Sequence, residues 1–580
     1  MSNLGNFVWS IADQLRGVYK PHQYGGVILP LTILRRLDCI LAPTCDEVRE
    51  LAKQYEGGAL DIQVKRKTGL GFYNTSEYDF ARLLEDPEGL RANLLDYITK
   101  FSTNIDVFER FKFENEIATL DEKNRLYLVV AKFAEVDLHP EVVPNAEMGD
   151  LFEELIRKFA EASNEEAGEH YTPRDAIRLM VDLLFAEDNE ALLEPGTIRS
   201  IYDPTAGTGG MLSVAEERLL ERNPQARLRL YGQEINDQSY AICKSDMIAK
   251  GQDAANICLG DTLAEDLFWD KTFDFCMSNP PYGVDWKASE ASVKAERLNN
   301  GSDGRFGPGL PAVSDGQMLF LTHLAHKMRP EHEGGGRAGI VLNGSPLFSG
   351  AAGSGSSEIR RWLLENDLLD AIIALPTNMF FNTGIATYIW ILDNTKHPER
   401  KGLVQLIDGS SFWTKMRKNL GAKNRELSDS DRAKILQLYD DFTDADPDFS
   451  KVLRNDEFGY WTITVERPLL DEDGKPVVDR KGKPKPDSKK RDTENVPFTY
   501  GGSTAGPAGK AEVIQTYFDA EVKPHVPDSW IDWAKIKVGY EIPFTRHFYK
   551  YAPPRPLAEI DADLEKQVAK ILDLLREVEQ

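Results

Sequence analysis

Between residues 196 and 394 the chain repeats one pattern: a short apolar, β-branched segment that ends in turn residues, followed by a stretch with helical spacing. The segments are Ile198 to Asp203, Leu228 to Glu234, Ile257 to Gly260, Phe273 to Ser278, Gly339 to Leu342, Ala371 to Leu375 and Thr387 to Leu392. This alternation restricts the fold sharply, because strands separated by helix-length connections pair in parallel and need helices on both faces. The expectation is an α/β domain over residues 161–400 with a mostly parallel sheet of seven strands. Ligands of such sheets bind beyond the carboxyl ends of the strands, so the residues that follow each segment are the candidates for chemistry.

The flanks read differently. From Phe7 to about residue 160 apolar positions such as Ile28, Leu31, Leu34, Leu37 and Leu41 recur at three- and four-residue spacing, which predicts a helical N-terminal domain over 1–160. Residues 401–580 are expected to form a mainly helical extension. Two long Gly- and Ser-rich stretches, Ser289 to Gly316 and Ser345 to Ser357, predict functional or mobile loops. The Pro/Lys/Asp tract from Arg467 to Asp492 reads as a solvated hairpin or insertion. Near the end, Ile560, Leu564, Val568, Ile571, Leu575 and Val578 line one stripe of a charged helix over 557–580, suited either to docking on its own domain or to a partner subunit.

Charge bears on partners. The 580 residues carry 69 Lys and Arg against 94 Asp and Glu, a formal charge of −25, and residues 1–400 hold −22 of it. A protein that grips duplex DNA unaided normally shows a basic footprint, so weak unaided binding is expected. Neither a helix-turn-helix nor a zinc finger is evident. Five cysteines without CxxC spacing give no disulfide framework or zinc site, and no metal site is expected. The sequence opens without a signal-peptide pattern and holds no apolar run long enough for a membrane span, so the expected setting is cytoplasmic.

Four elements after the first four strands carry the chemistry. The first is Asp203-Pro204-Thr205-Ala206-Gly207-Thr208-Gly209-Gly210, a glycine-rich turn that allows close approach of a ligand and leads into a helix with free N–H groups. It fails as a dinucleotide fingerprint, because Leu212 stands where a third glycine is needed, and no G-K-[ST] makes it a P-loop. The second is Glu234, a strand-tip carboxylate suited to ribose hydroxyls or to capping a helix. The third is Asp261, placed to meet an adenine amino group or to cap a helix. The fourth is Asn279-Pro280-Pro281-Tyr282. Its prolines stiffen the backbone and remove N–H donors, leaving the Pro280 carbonyl and the Asn279 side-chain oxygen as adjacent acceptors beside an aromatic ring. Such a corner suits a planar ring that bears an amino group.

In this order these motifs resemble the S-adenosylmethionine-dependent amino methyltransferases that make N6-methyladenine in DNA. With Gly168-Glu169-His170-Tyr171-Thr172-Pro173-Arg174 upstream, Leu375 to Phe381, Ile463 to Pro468 and Val538 to Phe544, the chain is similar to the modification subunit of a type I restriction–modification system. The resemblance implies a Rossmann-like methyltransferase sheet. It implies that Glu169, His170, Tyr171, Thr172, Pro173, Arg174, Thr205, Ala206, Gly207 and Gly209 hold the methionine part of S-adenosylmethionine, Glu234 its ribose and Asp261 its adenine, with Asp203 also among the cofactor-binding residues. Asn279 and Pro280, with Pro281 fixing the turn, would accept hydrogen bonds from a flipped adenine, and Tyr282 would stack on it. Phe380 or Phe381 could form the opposite face, or belong to the core. DNA, one specificity subunit shared by two modification subunits, and a restriction or motor subunit are the implied partners, with the 557–580 helix as the grip on the specificity subunit.

Three other readings share parts of this pattern. Asn-Pro-Pro-Tyr also serves enzymes that methylate RNA bases or protein glutamine, and a stand-alone phage-defence methyltransferase would act without partners. A non-catalytic assembly scaffold is the remaining alternative.

Overall fold

All seven expected segments form strands: β1 (Ile198–Asp203), β2 (Arg227–Glu234), β3 (Ile257–Leu259), β4 (Phe275–Ser278), β5 (Arg337–Asn343), β6 (Leu369–Ala374) and β7 (Thr387–Asp393). They stand in the order β3-β2-β1-β4-β5-β7-β6, parallel except for β7, which runs antiparallel to both neighbours. The computed structural model describes residues 10–20, 23–144, 147–148, 172–186, 192–249, 252–381, 383–420, 422–551 and 556–578.

The sheet does not stop at seven strands or at residue 400. After β8 (Leu403–Asp408) come a hairpin of β9 (Thr414–Leu420) and β10 (Lys423–Glu426), then β11 (Ser450–Arg454). β8 pairs parallel with β6, and β11 pairs antiparallel with β8, so the sheet has nine strands among the described residues. The reason is legible in β8, whose Val404, Leu406 and Ile407 are fully buried like the apolar residues of the other inner strands.

Neighbouring residues of β1 point to opposite layers. Ile201 joins Phe275, Met277 and the buried face of helix Arg174–Ala186. Tyr202 stacks on Phe273 at 4.7 Å and meets His323 of helix Gln317–Lys327. Helices therefore cover both faces. The helical N-terminal region, from Gly25–Leu41 to Leu126–Ala134, buries Ile28, Leu31, Leu34, Leu37 and Leu41 in its own core. That core also takes in Ala241 and Ile242 of helix Asp237–Ala249, and Lys244 reaches Asp106 at 2.8 Å, which fixes the region to the layer behind β2 and β3.

The C-terminal extension is not mainly helical. β12 (Gly459–Glu466) forms an antiparallel sheet with β13 (Asp492–Pro497), β14 (Trp530–Ile531) and β15 (Lys537–Tyr540). The aromatic and β-branched run Tyr460-Trp461-Thr462-Ile463-Thr464-Val465 favours a strand buried on both faces. Arg360 docks this sheet by donating to the carbonyls of Tyr540, Pro346 and Ser349 at 2.6–2.9 Å, and Ile542 N–H donates to the Leu347 carbonyl. Because residues 346–349 follow the carboxyl end of β5, the extension attaches to the ligand-binding rim of the main sheet.

The two Gly- and Ser-rich stretches are folded rather than open loops. Ser289–Gly316 contains helix Glu290–Asn300, and Trp286, Val293 and Phe306 form a small core with Leu263 and Leu319. The second stretch starts helices Ser345–Phe348 and Gly355–Glu365. Their glycines allow backbone to pack on backbone: a Cβ at Gly355 would lie 1.7 Å from the Leu310 carbonyl oxygen.

Contacts divide the chain into Met1–Ile542 and a small unit, Pro543–Gln580. The latter contains helices Phe544–Phe548 and Leu557–Val578, with Ile560, Leu564, Val568 and Ile571 all exposed. Among the described residues no helix is long and apolar enough to cross a membrane.

Candidate active site

The register of the parallel strands brings the tips of β1, β2, β3 and β4 to one rim. Asp203 lies across from Gly232, and Glu234 across from Leu259. Beyond this rim lies a cavity of about 390 Å³, within the range of small-molecule sites. Thr205 to Thr208, Glu234, Asp261, Asn279, Pro281 and Thr172 line it, together with an apolar wall of Ile235, Leu263, Trp286 and Phe320.

Asp203 shapes the glycine-rich turn. Its Oδ1 accepts from the Thr205 N–H at 2.9 Å and the Thr205 hydroxyl at 3.2 Å. Its Oδ2 is buried without a protein partner among the described residues. Burial pushes the carboxyl up to about 7; the two Thr205 hydrogen bonds pull the other way, and nearby Glu234 adds to the rise. Gly207 and Gly209 have φ of +53° and +84°, and a Cβ at Gly209 would lie 2.9 Å from the Cys243 sulfur, so the turn needs glycine for both conformation and space.

Glu234 binds this turn to β2. One carboxylate oxygen accepts from Gly207 N–H at 2.8 Å and the other from Asn236 N–H at 2.8 Å. Asp261 accepts from the N–H groups of Leu263 and Ala264, capping a turn, and from the Ser289 hydroxyl at 2.5 Å. Ser278 Oγ and Thr205 Oγ1, 2.8 Å apart, join the glycine turn to the end of β4.

At that end the Asn279 carboxamide is held from both sides. Its Nδ2 donates to Thr172 Oγ1 at 2.8 Å, which fixes the amide orientation, and its Oδ1 accepts from the Tyr282 hydroxyl at 2.6 Å. Burial pushes the Tyr282 phenol well up, so it remains a donor. The Tyr282 ring packs edge-on against Phe380 at 6.2 Å. Among the described residues no donor reaches the buried Pro280 carbonyl. One cavity thus joins a pair of carboxylate-bearing strand tips to an acceptor corner beside an aromatic ring.

Two family models match the chain. One, described as N-6 DNA Methylase, matches residues 145–461, and the other, HsdM N-terminal domain, matches residues 4–133. The chain belongs to the N-6 DNA methylase family. The helical HsdM-type domain ahead of the catalytic one makes it a type I modification subunit, an adenine-specific DNA methyltransferase. Among its relatives, the type I restriction enzyme MjaIX methylase subunit of Methanocaldococcus jannaschii is 26% identical over 78% of this chain and 81% of that protein. The EcoKI methylase subunit of Escherichia coli is 25% identical over 48% of this chain and 50% of its own. The crystal structure of a type I restriction–modification methyltransferase subunit from Streptococcus thermophilus superposes with a TM-score of 0.60 at 26% identity, covering 78% of this chain and 95% of that one.

Within this N-6 DNA methylase, the described residues expected at the site fall into three groups. Thr172, Thr205, Ala206, Gly207, Glu234, Asp261, Asn279 and Pro281 line the cavity. Asp203, Gly209, Pro280 and Tyr282 stand immediately behind them. Arg174 pairs with Glu217 of helix Gly210–Arg222 at 3.6 Å, and the Pro173 carbonyl accepts from Ile177 N–H, so both serve the start of helix Arg174–Ala186. Glu169, His170 and Tyr171 lie outside the described residues. Phe380 is 2% exposed and belongs to the core around β1 and β6, while Phe381 is half-buried.

The sequence reading missed the second support of the site. Arg305, 4% exposed, donates to the carbonyls of Thr262 and Leu263, meets Glu296 in a bidentate pair and approaches His323 Nδ1 at 3.3 Å. His323 Nε2 in turn lies 3.1 Å from the Tyr202 hydroxyl. Burial, with Arg305 and Lys327 nearby, holds this imidazole well below its usual range, so it stays neutral. The cluster pins the segment that carries Asp261. Ile235 gave a readable signal: it is an apolar residue directly after the strand-tip acid, 67% exposed at the cavity mouth.

Proposed function

We propose that the cavity binds S-adenosylmethionine and that Asn279 and Pro280 receive the amino group of an adenine turned out of duplex DNA. The observation that carries this reading is the shared cavity, which runs from Glu234 and Asp261 to Asn279.

The residues fit such a cofactor. Glu234 offers a buried carboxylate at a strand tip, Ile235, Leu263 and Phe320 offer apolar surface for a flat ring, and Asp203 has a buried oxygen without a partner beside the turn. When bound, S-adenosylmethionine would supply an electrophilic methyl group on a sulfonium, with the carbon–sulfur electron pair going to sulfur and the neutral thioether S-adenosylhomocysteine as the leaving group.

This chain's own groups then act by position and charge. The Thr172 hydroxyl holds the carboxamide so that Oδ1 faces the incoming amine. The amine displaces the Tyr282 hydroxyl or shares Oδ1 with it, and donates its second hydrogen to the Pro280 carbonyl. Two acceptors draw the nitrogen lone pair out of conjugation and stabilise the positive charge that develops on the nitrogen as the carbon–nitrogen bond forms. The proton is lost afterwards to solvent. Freed from Asn279, the Tyr282 ring is available to stack on the base. A base in a duplex cannot reach this corner without flipping.

Sequence readout belongs to a separate specificity subunit in this reading, with two modification subunits flanking it, a restriction subunit joining the complex, and the whole acting in the cytoplasm. The exposed stripe of helix Leu557–Val578 is the segment offered to the specificity subunit. Asn279→Ala should abolish methyl transfer to DNA while calorimetry finds cofactor affinity within about twofold of the parent. Loss of cofactor binding in that variant would contradict the division of the cavity.

A further inference from the structure

The tract at 467–492 is an ordered basic arm on an acidic protein. Residues 467–492 carry nine Lys and Arg against six Asp and Glu, a net +3 within a chain of −25, and eight of these cations lie in residues 475–491 beside only two Asp. Three short extended pieces are tied by bridges between Pro468 and Pro486, Leu470 and Pro476, and Val478 and Pro484. Backbone hydrogen bonds of 2.8 Å run from Leu469 to Lys485, Val477 to Leu469 and Lys485 to Val477. Each turn is closed by an aspartate: Asp471 accepts from the N–H groups of Asp473 and Lys475, and Asp479 from those of Lys481 and Lys483. The carboxylates of Asp471 and Asp479 are thus engaged with backbone, while Glu472 and Asp473 stand exposed in the first turn.

The basic side chains are left outward. Lys475, Arg480, Lys481, Lys483 and Lys485 are exposed, and among the described residues none forms an ion pair. The base of the arm is fixed, since buried Glu466 takes Arg491 at 2.8 Å and Lys535 at 3.0 Å. The arm has no apolar function: Leu469, Leu470 and Val478 are 39–52% exposed, and it has no aromatic residue. Protein interfaces are anchored by buried aromatic or apolar groups, whereas a row of unpaired cations on a stiff, polar projection suits a polyanion. β12 runs from the rim-docked end at Gly459 to the arm at Glu466, so the arm leaves this sheet about 25 Å along the strand from that dock.

We propose that this arm is a contact surface for the sugar–phosphate backbone of duplex DNA. The proposal rests on the reading of the chain as a DNA methyltransferase and adds where its own positive charge meets the substrate. Phosphate contacts set position and affinity and carry no sequence information, so the arm would strengthen binding to all sequences alike.

The test measures binding of the full chain, assembled with its specificity subunit, to duplex DNA by anisotropy across a salt series, together with methyl transfer. The combined variant Arg480→Gln, Lys481→Gln, Lys483→Gln, Lys485→Gln is compared with the parent and with Lys481→Arg, Lys483→Arg, Lys485→Arg. The proposal expects the slope of log affinity against log salt to become shallower by about 2 to 4, at about 0.9 per lost contact, and the KM for DNA to rise about tenfold, with kcat and cofactor affinity unchanged. The arginine variant should keep the parent slope. An unchanged slope in the glutamine variant overturns the proposal, as does a parent that binds no DNA, or loss of a co-purifying protein with DNA binding intact. A salt slope that depends on the arm without methylation of DNA would uphold the arm and contradict the enzymatic reading, so the two failures are distinct.

Discussion

Asp203 and Asn279 show how single side chains are set for use. The Asp203 carboxyl is raised from about 3.8 to about 7, so its charged form is disfavoured in the folded protein. Below about pH 4 both folded and unfolded chains hold the proton and nothing is lost; as pH rises toward 7 the unfolded chain ionises first, and the folded state is penalised. Asp203→Asn should therefore stabilise the cofactor-free protein more at pH 8 than at pH 5, by about 2 to 3 kcal/mol, read as a larger gain in melting temperature at pH 8, while weakening cofactor binding. A gain that does not grow with pH would show that the burial of this acid is not the cause. Thr172→Val removes the hydrogen bond that orients the Asn279 amide, worth about 1 kcal/mol. The expected result is a kcat about tenfold lower with KM for the cofactor within about twofold, read from steady-state methyl transfer.

Elements explain what the sequence did and did not reveal. The strand segments were readable because inner strands of a parallel sheet are short apolar runs that end in turn residues. Thr172 and Asn279 are 107 residues apart, and no local pattern announces that their side chains meet. The same holds for Arg305, whose partners Thr262, Glu296 and His323 come from three different segments. The Ser289–Gly316 stretch reads as a loop by composition, yet its glycines serve close packing and its arginine serves as a buried tie. Arg305→Ala leaves Glu296 and two carbonyls without their donor, so it should cost about 3 to 5 kcal/mol of stability and loosen the segment that carries Asp261. Thermal denaturation and cofactor calorimetry should both register the change; a stable variant with normal cofactor affinity would remove Arg305 from the support of the site. In the extension, the β-branched run at 460–465 carried a strand signal that the surrounding Lys, Pro and charged residues obscured. Deleting 557–580 should prevent co-purification with the specificity subunit and leave a folded, cofactor-binding core, as judged by pull-down and calorimetry. Unchanged assembly would assign that apolar stripe elsewhere.

At the scale of the molecule, a helical N-terminal region and a β-rich extension both attach to a catalytic sheet, on helix Asp237–Ala249 and on the rim after β5 respectively. Strand order and the close approach of distant loops arise only at this scale, which is why the cavity's outer wall and the arm's base at Glu466 could not be read locally. The acidity of residues 1–400 leaves DNA to be met at particular places rather than over the whole surface. The most direct measurement supplies labelled S-adenosylmethionine to the chain assembled with its specificity subunit, with DNA, RNA and protein acceptors together, then digests and separates the products. Label should appear in DNA as N6-methyladenine, and none with Asn279→Ala. Label in RNA, in protein or on another DNA base, or full transfer by Asn279→Ala, would contradict this reading.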